Sequence, residues 1–260
     1  MGISTFAANK LLDHILGTTQ WNMPTNVYVS LHTADPGLAG ANEVSAGWYT
    51  AGGRKQPSGT PKWNAATTSG ATNNGTITFP TVSGSSVTVT HVGIWDNATV
   101  GSGNFLLGIP LDSPKLFSAG ATPFISAMVV TAGGILSNYL IPKIIDHLLG
   151  TAPFDFDTSV FLALYKTNPT AADTGTEVTG GGYARLPIDF DPAAGRTTDN
   201  TDLEDFGVAS GSLGTVTHWG IRDNDSDGNL HVFGVWNAGL AIDNGDTYQL
   251  PAGNLDITAS

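Results

Sequence analysis

One phrase occurs twice in this chain, and the repeat limits what the chain can fold into. KLLDHILGT runs from Lys10 to Thr18, and KIIDHLLGT runs from Lys143 to Thr151. Further blocks match in the same order in both halves: residues 27–36 with 160–169, 42–49 with 176–183, 88–96 with 215–223, 104–111 with 230–237 after a one-residue adjustment, and 118–125 with 243–250. Chance does not produce an ordered set of matches, so we predict two copies of one domain.

The two copies divide the chain near its middle. We place copy one at residues 1–131 and copy two at residues 132–260, with the junction in the segment TAGG at residues 131–134. No long flexible linker separates the copies. The sequence therefore predicts that they sit in a fixed relation to each other.

Each copy begins with a helical pattern and continues with strand patterns. Ser4 is a suitable N-cap for the first helix, and Gly17 and Gly150 follow the last apolar residues of the two helices, where glycine commonly ends a helix. Beyond the helices the apolar period changes to about two, and turn residues such as GSG at 101–103 separate the runs. The predicted fold class is mainly β. It has two tandem homologous domains, each an N-terminal α-helix plus an antiparallel β-sandwich or small β-sheet.

Composition excludes several functional classes. The formal charge of −12 repels phosphate backbones and anionic lipids, so we expect no nucleic-acid partner. The chain has no cysteine, which excludes disulfides, thiolate metal sites and cysteine nucleophiles. No run of about 18 apolar residues is present, so no membrane insertion is expected. Polar residues inside the apolar pattern of residues 1–16 argue against a secretory signal.

The sequence contains no recurring set of catalytic residues. His91 and His218 occupy equivalent strand positions, but no acid and nucleophile recur with them, so we interpret both as packing residues. Asp13–His14 and Asp146–His147 also recur. Adjacent helical residues do not share a face, and we interpret these pairs as a polar edge beside the apolar stripe. We therefore predict no catalytic residues and no enzymatic activity.

A second pattern concerns metal binding. Asp223, Asp225 and Asp227 are followed by Gly228, which resembles the first half of a calcium loop with alternate carboxylates and a glycine turn. Copy one has DNATVGSGN at residues 96–104 and lacks these carboxylates. The alternative is a solvated hairpin turn, for which Asp, Asn and Gly are also suited. Apart from this candidate Ca²⁺, no cofactor is expected.

One tryptophan is a candidate binding residue. Trp48 lies in a glycine-rich segment, where a large ring has no obvious core to fill. An exposed aromatic ring in such a place is suited to contacts with sugars or proteins. Most of the other tryptophans lie in strand patterns and are assigned to the core.

An ordered set of motifs resembles a known family. The segments FAANKLLDHILGTT, VYVSLHTADPGLAGANEVS and VTHVGIWD, with a Gly-Tyr-x-Arg element between the last two, resemble small bacteriophage virion proteins usually labelled "phage tail fiber protein". GGGYAR at 180–185 is the cleaner form of this element, and GWYTAGGR at 47–54 carries a local insertion. The family usually has one copy, so the tandem pair is a departure.

The resemblance implies a non-enzymatic structural protein on the exterior of the virion, an assembly or attachment module of the tail. It implies other virion proteins as partners, a homo-oligomer, and assembly in the host cytoplasm. Two alternatives remain open. A capsid decoration (cement) protein that stabilises the phage head has the same features, and so does a carbohydrate-binding module.

Overall fold

The computed structural model describes residues 2–259; Met1 and Ser260, the outer bounds of the two predicted copies, lie outside the described residues. Copy one contains the elements β1 (Gly2–Ile3), α1 (Thr5–Ile15), β2 (Tyr28–His32), α2 (Gly47–Thr50), β3 (Ala71–Thr72), β4 (Ile77–Thr78), β5 (Val87–Trp95), β6 (Phe105–Phe117), β7 (Phe124–Ile125) and β8 (Val129–Val130). Copy two contains α3 (Leu140–Leu148), β9 (Val160–Tyr165), β10 (Leu186–Ile188), β11 (Thr197–Thr198), β12 (Glu204–Val208), β13 (Gly214–Arg222), β14 (Leu230–Ile242), β15 (Thr247–Leu250) and β16 (Ile257–Thr258). The fold is mainly β, as predicted.

Each copy is built on a four-stranded sheet. The strand orders are β1-β6-β5-β2 in copy one and β10-β9-β13-β14 in copy two, and the pairs are antiparallel. The two sheets differ in one edge strand each, β1 in copy one and β10 in copy two. An isolated β-bridge takes the place of the missing edge strand in the other copy: Val29 pairs with Lys55 in copy one, and Leu136 pairs with Val232 in copy two. Two-stranded ribbons complete each copy: β3–β8 and β4–β7 in copy one, β11–β16 and β12–β15 in copy two.

The longest hairpin of each copy is bent at the same place. Val89 pairs with Lys115 but His91 pairs with Pro110, so residues 111–114 form a bulge opposite Thr90. Residues 236–239 form the same bulge in copy two, between the pairs Val216–Leu240 and His218–Val235. A bulge of this kind bends its strand. Each hairpin therefore has one part in the main sheet and one outer arm.

The helix ends follow local sequence signals. The Ala7 amide donates to the Ser4 hydroxyl at 3.0 Å, so Ser4 caps α1 as predicted. Gly17 and Gly150 follow the two helices with φ of 77° and 70°, which glycine adopts without strain. Ser137 Oγ accepts from the Leu140 amide at 3.1 Å at the start of α3.

The two copies share one core. α1 contacts β6 of its own copy and β11 of copy two, while α3 contacts β14 of its own copy and β3 of copy one. A single apolar cluster runs through both copies and includes side chains of both helices. We call this region, formed by α1, α3 and residues 17–24 and 150–157, the seam. It has the reciprocal form of an isologous dimer interface within one chain.

A cavity of about 530 Å³ lies beside the junction of the copies. Apolar side chains of both helices, including Leu12 and Ile145, line it together with residues 130–136. Within residues 2–259, no helix combines the length and the apolar character needed to cross a bilayer.

Candidate functional site

The recurring polar residues of the two copies form a matching cluster, which we call the Glu–Tyr–Arg cluster. In copy one, Arg54 Nε and Nη2 donate to the two Glu43 carboxylate oxygens, each at 2.8 Å, and the Tyr49 hydroxyl donates to the same carboxylate at 3.2 Å. The Tyr49 oxygen accepts in turn from the Leu31 amide on β2 at 2.9 Å. The bidentate ion pair and the tyrosine tie the loop to the sheet.

Copy two repeats these contacts with different spacing. Arg185 Nε and Nη2 donate to Glu177 at 2.8 Å each, Tyr183 donates to Glu177 at 3.1 Å, and Tyr183 accepts from the Leu164 amide at 2.9 Å. Tyr and Arg are five positions apart in copy one and two apart in copy two. The insertion in copy one is accommodated by the short helix α2 and by Gly52, with φ of 93°.

The Glu–Tyr–Arg cluster also holds the turn of the long hairpin. Arg54 Nη1 donates to the carbonyls of Asn97 and Ser102, at 3.0 and 2.7 Å. In copy two, Arg185 Nη1 donates to the carbonyls of Asn224 and Asp227, at 2.8 and 2.6 Å. Backbone carbonyls of a turn are thus held by a guanidinium that is itself fixed by a glutamate. The arrangement fixes the hairpin end as a rigid feature of both copies.

The predicted calcium loop forms this hairpin turn in copy two. Asp223 accepts from the backbone and side-chain nitrogens of Asn229, at 2.6 and 2.7 Å, and Asp96 makes the same pair of contacts to Asn104 in copy one. Asp225 and Asp227 are exposed, and Asp227 has φ of 51°. Within residues 2–259, the acidic and histidine side chains that cluster with Asp223 are Asp157 and His231, not Asp225 and Asp227. Calcium binding by Asp223, Asp225 and Asp227 stays a prediction.

Trp48 lies in α2 rather than in an irregular loop. Its ring is half-buried against the shared core and meets Tyr49 edge-on, with 5.6 Å between ring centroids. The expectation that the ring has no core to fill is therefore wrong, because the ring packs against the shared core. A binding role for Trp48 stays a prediction, and the half-exposed face is the part that could make it.

The paired strand histidines have the same surroundings in both copies. His91 and His218 are half-buried, and their Nδ1 atoms lie 2.8 Å from the hydroxyls of Thr90 and Thr217. The neighbouring position differs between copies. His32 is fully buried and bonded to Ser30, whereas its counterpart Tyr165 accepts from Arg222 at 2.6 Å. Among residues 2–259, neither strand histidine is hydrogen-bonded to a carboxylate.

The repeated Asp–His pairs lie at the seam, not on a solvated edge. Asp13 accepts from the Ala193 amide of copy two at 2.7 Å, and Asp146 accepts from the Ala66 amide of copy one at 2.8 Å. Asp13 is 8% exposed. The interpretation as a polar edge is therefore wrong, because the other copy covers that side of each helix. Each helix uses its aspartate to hold a loop of the opposite copy.

The two histidines of these pairs meet at the centre of the seam. The rings of His14 and His147 lie 4.8 Å apart, and their Nδ1 atoms accept from the amides of Trp21 and Phe154, each at 3.1 Å. Burial lowers the pKa of His14. Burial, and then the proximity of His14, lowers the pKa of His147 to about 4. Both rings are therefore neutral at neutral pH.

Comparison with known proteins identifies the family. The family model described as "Podophage GP4 fiber I protein gp80" matches residues 2–133 and again residues 135–258. The chain belongs to the gp80 fiber family. No curated protein matches the chain. Because the gp80 model matches twice, the chain is a tandem duplication of this family's domain.

The gp80 copies show which site residues sequence analysis missed. Glu43 and Glu177 recur at equivalent positions, as do the arginines that bind them, in a chain in which only 12% of the residues are charged. Recurrence of scarce charges was the signal that could have identified the Glu–Tyr–Arg cluster. A third ion pair, Arg222 with Asp173 at 2.8 Å, exists only in copy two and left no such signal, because Trp95 occupies the position of Arg222 in copy one.

Proposed function

We propose that this chain is a non-enzymatic structural component of the phage exterior, an assembly or attachment module of the tail fibre. The observation that carries the proposal is the double match to a family of podophage fiber proteins. Because each copy matches the family model once, the duplicated unit corresponds to one fibre domain.

The architecture supports a mechanical role. The Glu–Tyr–Arg cluster fixes each hairpin end, and the shared core joins the copies into one body. Large apolar side chains remain exposed on the outer hairpin arms, with Leu116 66% and Leu240 44% exposed. Exposed apolar side chains of this size are suited to contacts with other proteins.

The partners that follow from this role are other virion proteins and further copies of the same chain. A formal charge of −12 disfavours contact with nucleic acid. Assembly would take place in the host cytoplasm, before the finished particle exposes the protein at its exterior. Light scattering of the purified chain would contradict the homo-oligomer if the mass stayed that of one chain at every concentration measured.

Immunogold electron microscopy of purified particles tests the placement. We expect label at the tail or its tip. Label over the head would overturn the tail placement in favour of a capsid decoration protein. Bare particles, beside a labelled control for a known virion protein, would overturn any virion role. In that case a glycan array with the purified chain would test the carbohydrate-binding alternative.

A further inference from the structure

Three side chains of copy two converge at the edge of the seam. His231 lies in β14, Asp223 begins the turn after β13, and Asp157 lies in the loop between α3 and β9. The Nε2 atom of His231 is 3.7 Å from Asp157 Oδ2 and 3.8 Å from Asp223 Oδ2. One ligand atom from each of the three lies within 4.8 Å of the others.

The buried histidine nitrogen has no hydrogen-bond partner. His231 is 0% exposed, and its Nε2 accepts from and donates to no group among residues 2–259. The carboxylate oxygens face it from beyond the range of about 2.7–3.2 Å for such bonds. A buried polar atom without a partner is costly, so native structures rarely retain one.

The spacing fits ligands around a small cation. Nitrogen and oxygen ligands lie about 2.0–2.2 Å from Zn²⁺, and in a tetrahedron such ligands are roughly 3.4 Å from each other. The observed 3.7 and 3.8 Å from His231 need shifts of only a few tenths of an ångström, and the two carboxylates, which lie within 4.8 Å of each other, need to approach by at most about 1.4 Å. The side chain of Asp157 is 33% exposed, so the cluster is open to solvent on that side.

The surrounding groups fix the orientation of the imidazole. Nδ1–H of His231 faces the carbonyl of Ile15 at 3.4 Å, which leaves the lone pair on Nε2. The Tyr139 ring stacks on the imidazole at 9° and 6.0 Å, and Phe154 packs against its edge at 5.7 Å. Metal-binding histidines are commonly oriented by a carbonyl in this way.

We propose that Asp157, Asp223 and His231 bind one divalent cation of the first transition row, for which Zn²⁺ is the probe. Imidazole with two carboxylates suits Zn²⁺, Fe²⁺ or Ni²⁺, whereas Ca²⁺ takes six to eight oxygen ligands. The equivalent positions of copy one are Pro24, Asp96 and, by strand pairing, Leu106, so residues 2–259 hold one such site and not two.

The position of the site gives the cation a structural effect. Asp157 borders the end of α1, since a Cβ on Gly17 would lie 2.9 Å from the Asp157 carbonyl oxygen. His231 contacts the Ile15 carbonyl at the same helix end. The cation would therefore stabilise copy two where it meets copy one, and binding raises the melting temperature of the whole chain.

Isothermal titration calorimetry of the EDTA-treated, full-length chain tests the proposal. We expect one equivalent of Zn²⁺ bound more tightly than Ca²⁺ or Mg²⁺, with a higher melting temperature. Asp157→Asn removes one ligand at a partly exposed position, and we expect it to weaken Zn²⁺ binding at least about tenfold. Asp155→Asn, an exposed neighbour, is the control for loss of charge alone.

Two further variants separate the site from nearby effects. Asp96→Asn disturbs the copy-one turn as Asp223→Asn disturbs the copy-two turn, but only Asp223→Asn should lose Zn²⁺. His91→Asn controls for adventitious binding at half-buried histidines. If a variant fails to fold without metal, as judged by circular dichroism, Asp157→Ser replaces it in the comparison.

Specific results would overturn the proposal. They are a wild-type chain that binds no Zn²⁺, Zn²⁺ binding that Asp157→Asn leaves unchanged, or tighter binding of Ca²⁺ than of Zn²⁺. Loss of Ca²⁺ in Asp225→Asn and Asp227→Asn would instead support the calcium loop. None of these results depends on where the protein sits in the virion.

Discussion

At the residue scale, the equivalent ion pairs of the two copies are not equally buried. The side chains of Arg54 and Glu43 are 0% and 10% exposed, whereas those of Arg185 and Glu177 are 9% and 22% exposed. Arg54 also lies over the Trp95 ring at 3.6 Å. Removing one partner of a buried ion pair leaves the other charge buried without a partner, and the loss of folding free energy grows with burial.

We therefore expect Arg54→Ala to lower the free energy of unfolding by about 3–5 kcal/mol, and Arg185→Ala by less. Urea unfolding followed by tryptophan fluorescence measures both. Arg54→Lys keeps the charge but loses the bidentate contact, so it should fall between wild type and Arg54→Ala. Equal losses for the two alanine variants would show that burial of the pair does not set its contribution.

The seam histidines predict a dependence of stability on pH. The pKa of His147 falls from 6.5 in the unfolded chain to about 4 in the folded one, because burial disfavours the charged ring. The unfolded state thus binds more protons between these values. The stability that the neutral His147 ring contributes to the folded chain is complete above about pH 6.5. This stability is lost as the pH falls toward 4, by at most about 3 kcal/mol.

Unfolding of wild type and His147→Asn at a series of pH values between 4 and 7 checks this. The variant should have a flatter profile than the wild-type chain. The pKa of His14 is lowered too, so part of the slope remains in the variant. A wild-type chain equally stable at both ends of the range would contradict the expectation.

At the element scale, local signals were predictable and contacts between copies were not. Ser4 caps the start of α1, and Gly17 and Gly150 follow the ends of α1 and α3. Each affects only the neighbouring helical turn, so these helix ends could be predicted from the sequence. Asp13 binds Ala193, which is far away in the chain, and no periodicity within a helix indicates such a partner. The cluster of Asp157, Asp223 and His231 was missed for the same reason, and the repeat could not indicate it because copy one lacks two of its members.

The helix-ending glycines give a prediction for the seam. Gly150 has φ of 70°, and a Cβ there would lie 2.5 Å from the Pro24 carbonyl oxygen of copy one. Gly101 has φ of 80°, but a Cβ there would meet nothing within 4 Å. Gly101→Ala should therefore cost about 1–2 kcal/mol for the backbone conformation alone.

Gly150→Ala should cost more than Gly101→Ala, because the clash with backbone adds to the conformational term. Gly17→Ala should behave like Gly150→Ala, since its Cβ would lie 2.9 Å from the Asp157 carbonyl oxygen. Thermal unfolding of the three variants ranks them. A ranking with Gly101→Ala as the most destabilised would mean that the copies do not approach as closely as described.

At the scale of the whole molecule, we expect the shared core to hold the two copies together without the covalent junction once the chain has folded. A protease site in the exposed segment at residues 131–134 should cut the chain without separating its halves. The fragments should elute together in gel filtration and unfold in one transition, because each helix contacts a strand of the other copy. Fragments that elute apart would show that the copies are independent domains.

The reciprocal seam also bears on how such a chain arises. Two separate single-copy proteins can close the same seam as a symmetric pair, and joining their genes fixes the stoichiometry at any dilution. Identical subunits must change together, whereas fused halves diverge independently. Trp95 against Arg222 and Leu106 against His231 are differences that a fused pair can hold and a pair of identical subunits cannot, so the two ends of the seam present different surfaces.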